Sequence, residues 1–231
     1  MKNPNIDRIV QFVSGLAMII APLVQMFAFA IHPQFWTFKR ETDAAIQYGY
    51  IQNWGWQVGH VLVYITLPLM FLAWIQVARL VMKNRPWLAL VGGTMTWVGF
   101  NFVAGNFGSV MSQGTIGLTL PMEQAVPVIQ LFVNNAGMMK ITFWMQLGSL
   151  LGPVILSTAL ALSPNITPRW AGTLALLGNL IIVIFIDIDG YMIWGALAVL
   201  IGLLPLAMKL LKGQEPGVEL SREMRRSTIP S

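Results

Sequence analysis

Six stretches of this chain are apolar with few interruptions. They run from about Ile9 to Ile31, Gly55 to Val81, Trp87 to Met111, Met138 to Leu162, Trp170 to Ile186 and Tyr191 to Leu211. A helix needs about 20 mainly apolar residues to cross the hydrocarbon layer. Backbone groups in lipid must pair within their own segment, so helices are the expected form. The runs are too long and continuous for the alternating strands of a barrel. The pattern predicts an all-α polytopic bundle of six transmembrane helices. Residues 1–212 form a single domain, and 213–231 form a basic, solvated tail.

The polar stretches between the spans are unequal. Met82 to Pro86 and Ser163 to Arg169 are short turns, whereas His32 to Trp54 and Ser112 to Gly137 are long enough for surface helices. In the first long loop, Thr42 or Asp43 suits the N-cap of a helix ending near Ile51. In the second, Pro121 suits a first helical position and Glu123 a first turn. Val126, Ile129, Phe132 and Val133 would then lie on the membrane surface.

Charge sets the expected orientation. With the N-terminus inside, Lys2, Arg8, Arg79, Lys83, Arg85, Arg169, Lys209, Lys212, Arg222, Arg225 and Arg226 are all cytoplasmic. Only Lys39, Arg40 and Lys140 are outside. That asymmetry is the positive-inside bias, and it predicts a multi-pass protein of the cell inner membrane with both termini cytoplasmic. Trp36, Trp54, Trp56, Trp87, Trp170 and Trp194 fall at span ends, where aromatic belts form. Lys2, Arg8 and Ala28-Phe29-Ala30 also fit a cleaved signal peptide, but the apolar stretch is long for one.

Composition agrees: 56% of residues are hydrophobic and 10% charged, against roughly 25% charged in soluble domains. The net charge of +5 sits beside apolar spans rather than in a basic stripe, so a nucleic-acid partner is not expected. The absence of cysteine excludes disulfides, thiolate metal sites and thiol catalysis. No phosphate loop, GxSxG or HExxH occurs, and no catalytic residue, metal or cofactor is assigned.

Polar residues inside spans are costly and need a reason. His60, Asn101, Asn106, Lys140, Gln146, Asp187, Asp189 and Tyr191 all gather toward the face with the long loops. They predict an outward-facing pocket that binds or transports a small solute, with the loop helices as its lid. Two rival readings follow from other features. Gly148-x-x-x-Gly152 and the glycine-rich third span favour close helix packing, within the bundle, in a homo-oligomer or against a partner in a larger complex. Asp187, Asp189 or Glu123 with His60 could supply acid–base chemistry on a lipid or isoprenoid, provided a carboxylate lies close to His60.

Overall fold

The computed structural model describes residues 4–38, 40–134 and 137–214. Within them the chain forms eight helices and no strand: α1 (Pro4–Ile31), α2 (Ala44–Ile51), α3 (Trp54–Val81), α4 (Pro86–Thr119), α5 (Met122–Val133), α6 (Met138–Ala161), α7 (Arg169–Ile184) and α8 (Asp189–Leu211). Most of the expected tail, from residue 215 onward, lies outside the described residues, as do Lys2, Lys39 and Asn135. Five helices contain segments long and apolar enough to cross a membrane, in α1, α3, α4, α6 and α8. Several such helices are compatible with an integral membrane protein. α7 has 16 residues, about 24 Å at 1.5 Å per residue, which is short for a ~30 Å hydrocarbon layer.

The six principal helices pack in chain order around a closed ring: α1 on α3, α3 on α4, α4 on α6, α6 on α7, α7 on α8, and α8 back on α1. The α4–α6 seam is the tightest because four glycines meet there. A Cβ on Gly99 would fall on the Ser149 backbone, and one on Gly152 would fall on Thr96. Gly92 faces Leu156, and Gly148 faces Gly99. Gly148 and Gly152 thus serve packing inside the bundle, where dispersion supplies what lipid cannot.

The two ends of the ring differ. At one end Arg85 donates to Leu162 O (3.1 Å), Asn84 to Asn165 (2.8 Å) and Lys209 to Ile166 O (3.0 Å). These bonds bring the α3–α4 turn, the α6–α7 turn and the end of α8 together, and Arg8, Arg79 and Arg169 sit on helix termini at the same end. The opposite end holds the mouth of a cavity.

A small cap covers that second end, and it departs from expectation. α4 runs on to Thr119 for 34 residues, about 51 Å, so it projects well past a bilayer's thickness instead of ending near Met111. α2 begins after Asp43, whose side chain accepts from Ala45 N (2.8 Å), as the sequence suggested. α5 begins at Met122, with Pro121 as its N-cap. Its apolar face packs against protein, not as a free surface stripe. Ile129 is fully buried with Ala44, Ile51, Trp56 and Ala125, and Val126 and Val133 pack against them. The overlong α4 supplies a protein surface for that face to bury against. Trp56 is buried in this cluster, whereas Trp36, Trp54, Trp87, Trp170 and Trp194 are exposed.

Candidate functional site

Beneath the cap lies a cavity of about 340 Å³. Its sides come from α3, α4 and α6, and its mouth from the ends of α1 and α7 and the start of α8. Close approaches shape the mouth. Gly55 sits against Ile31 O and Gly59 against Ala28 O, which brings the start of α3 onto the end of α1. Gly190 sits against Phe35 O and the Phe38 ring, which brings the start of α8 onto the loop after α1. The neighbours of two of these glycines, His60 and Asp189, are thereby brought to His32.

His32 Nδ1 lies 2.7 Å from Asp189 Oδ2. Both side chains are about nine-tenths buried, at 10% and 12% exposure. The contact is close without being well aligned, and neither ring nitrogen of His32 makes a directed hydrogen bond. The His60 ring meets His32 edge-on, with centroids 5.0 Å apart, and lies on Trp56 at 4.2 Å. His60 Nδ1 is 2.8 Å from Trp56 O. A carbonyl only accepts, so this nitrogen carries a proton and donates it. Gln34 is 7% exposed, lines the cavity, and its amide nitrogen has no partner.

Asp187 lies in the turn between α7 and α8 with a left-handed backbone, φ +65°. Asp tolerates that conformation better than most residues because its short polar side chain bonds locally. Arg40 Nη2 is 3.3 Å from its carboxylate. Half of the Asp187 side-chain surface is open, and the residue lines the cavity. Burial pushes its pKa above the ordinary carboxylate value, Asp189 adds to the rise, and Arg40 opposes it.

The cavity floor is apolar with amides set into it. Gln25 Nε2 donates to Met70 Sδ, and Asn179 Nδ2 donates to Ser157 Oγ (3.0 Å) and Ala175 O (2.8 Å). Below these, toward the basic end, a void of about 20 Å³ lies beside Met18, Trp74 and Leu203. Val77, Val81, Leu206 and Leu210, buried to within 1%, fill the bundle beyond it. The cavity is closed toward that end.

Of the residues singled out from sequence, His60, Asn106, Gln146, Asp187 and Asp189 line this cavity. Asn101 is exposed, and its amide donates to Trp97 O at 2.6 Å within its own helix. Lys140 is exposed near the start of α6. Tyr191 stacks on Phe185 and meets Phe38 edge-on beside the mouth. The carboxylate proposed for His60 sits on His32 instead, and Glu123 is exposed on α5. His32, Gln34 and Arg40, which follow the first span in a loop, were not in the pocket set expected from sequence. Their available signal was position: His32 immediately follows α1, and Asp189 opens α8. Among the described residues, no three His, Asp or Glu side chains converge to hold a metal ion.

No family model matches this chain, and neither a curated protein nor a solved structure does.

Proposed function

We propose that this is a six-span membrane protein, with both termini in the cytoplasm, that binds a small solute in the cavity from the outer face. Binding is the core of the reading, and transport is its extension. α7 is taken as a crossing because it holds a place in the ring between α6 and α8. The turn after it, Phe185 to Ile188, extends its reach. The basic end of the bundle is taken as cytoplasmic on the positive-inside rule, which turns the cavity outward. Passage to the other side requires the filled lower half to part. Pro22, Pro68 and Pro153 lie inside their helices near the cavity floor, and a proline is where a helix bends most readily.

One observation carries the binding reading. The cavity holds side chains of His32 and Gln34 that are buried and lack directed partners. Buried polar groups without partners cost about 1–3 kcal/mol each, and a bound solute would remove that cost. A cavity of this volume also falls at the small end of ligand-binding clefts.

The test is a thermal-shift screen of small solutes on the purified protein beside a Val103→Trp variant, in which the indole obstructs the cavity. A true ligand at a hundred times its Kd stabilises the wild type by about 2.7 kcal/mol and leaves the variant unmoved. If no solute separates the two proteins, the cavity is not a binding site.

A second reading has a specific observation behind it. Asp189 against His32, with His60 in edge contact, resembles an acid–base pair with a neighbouring proton carrier. Chemical turnover of a lipid added to the protein in vesicles, lost in His32→Gln, would favour an enzyme over a binding protein.

A further inference from the structure

The fixed charges around the cavity do not balance. Among the described lining residues, Glu41, Asp187 and Asp189 bring carboxylates, and Arg40 is the single guanidinium. Arg40 is engaged with Asp187, and Asp189 has only the imidazole of His32. Both histidines line the cavity as well. Asp187 is already pushed toward its neutral form by burial and by Asp189. The recess is therefore short of positive charge.

The walls add a second requirement. Phe29, Trp56, Phe100, Phe107 and Phe132 line the same space, and aromatic faces attract cations. The unpartnered amide nitrogen of Gln34 is buried in the same lining and calls for one hydrogen-bond acceptor on the occupant. An anion would bring a further negative charge to a recess lined by three carboxyl groups. A bare metal ion finds no cluster of three ligating side chains among the described residues and makes no use of the apolar wall.

We infer that the occupant is an amphipathic organic cation. Its ammonium head lies near Asp187 and Asp189, its apolar body lies against the aromatic wall, and a hydroxyl, ether or carbonyl oxygen reaches Gln34. This inference rests on the binding reading above and narrows it to one class of solute.

Three probes test it on the full chain in nanodiscs of zwitterionic lipid. They are phenylbutyltrimethylammonium, its neutral isostere with tert-butyl in place of trimethylammonium, and phenylpentanoate. Saturable binding is measured by titration calorimetry, with Val103→Trp discs as the control for partition into lipid. The cation should bind about tenfold tighter than the neutral isostere, as expected for a desolvated charge over aromatic faces, and phenylpentanoate should bind weakest. Asp189→Asn should bring the first two affinities together. Asp187→Asn, which keeps a residue tolerant of the left-handed backbone, should narrow the gap if the first variant fails to fold.

Equal or tighter binding of the neutral or anionic probe overturns the cation inference and leaves the binding site standing. Absence of saturable binding by all three also overturns it. In that case a thermal-shift hit abolished by Val103→Trp would show that the site itself survives.

Discussion

His32 and Asp189 tie the end of one helix to the start of another: His32 Nδ1 lies 2.7 Å from Asp189 Oδ2, where α1 stops and α8 begins. A carboxylate is well placed at a helix N-terminus, where unpaired N–H groups carry partial positive charge. Removing one member of a buried pair strands the other. Asp189→Ala should therefore lower unfolding stability in detergent by about 3 kcal/mol. Asp189→Asn should lose clearly less, because it keeps a polar group of the same shape against His32. An Ala variant that unfolds with the wild type would mean that the pair contributes nothing to the fold.

The α4–α6 seam makes an opposed pair of predictions. A Cβ at Gly99 would collide with the Ser149 backbone, whereas Gly105 and Gly108 on the same helix have open space. Gly99→Ala must push two helices apart, and a loss of about 2 kcal/mol or more is expected. Gly105→Ala and Gly108→Ala gain helix propensity instead, worth up to about 1 kcal/mol. Melting midpoints of the three variants decide the matter. Similar midpoints for all three would mean that the seam is looser than its geometry shows.

Orientation is open to direct labelling, because the chain has no cysteine and any introduced one is unique. Lys83→Cys lies in the turn between α3 and α4, and Glu123→Cys lies in the exposed first turn of α5, in the cap. In intact cells a membrane-impermeant maleimide should modify Cys at position 123 and spare position 83 until the membrane is opened. Equal labelling from outside would remove the case for an even number of crossings.

The apolar runs made the long helices legible, since their length and continuity reflect the solvent they face. The cap was legible only in part. Asp43 announced its helix by capping chemistry, but the same apolar stripe on α5 fits a lipid surface or a protein surface. Only the continuation of α4 past Met111, through Gly114 and Gly117, decides between them. Gly114 meets the Trp56 ring and Gly117 meets Ile51, so these glycines admit the cap residues. The cavity was legible in its depth and not in its membership. Asn101 and Asn106 sit on one helix but face different directions, and sequence without a fixed helix rotation does not separate them. His32 was hard to weigh because loop residues acquire partners only when distant segments meet.

Asp187 should set a pH dependence with a defined sign. Its carboxyl is held above the ordinary range, first by burial and then by Asp189, so the folded protein binds that proton more tightly than the unfolded chain. Its contribution to stability is greatest below the unfolded pKa of about 4. It declines as pH rises through the folded pKa, because ionisation then costs the native state more. Unfolding midpoints measured from acid to neutral pH should carry this downward component, partly offset by the Arg40 contact. Asp187→Asn removes the titrating group while an amide still tolerates φ +65°, so that component should vanish and stability at neutral pH should hold or rise. Asp187→Ala removes the charge but strains the backbone by about 1–2 kcal/mol, and should be the less stable of the two variants. If the Asn variant keeps the full downward component, the titrating group lies elsewhere. If Ala matches Asn, the left-handed turn is not a constraint on this residue.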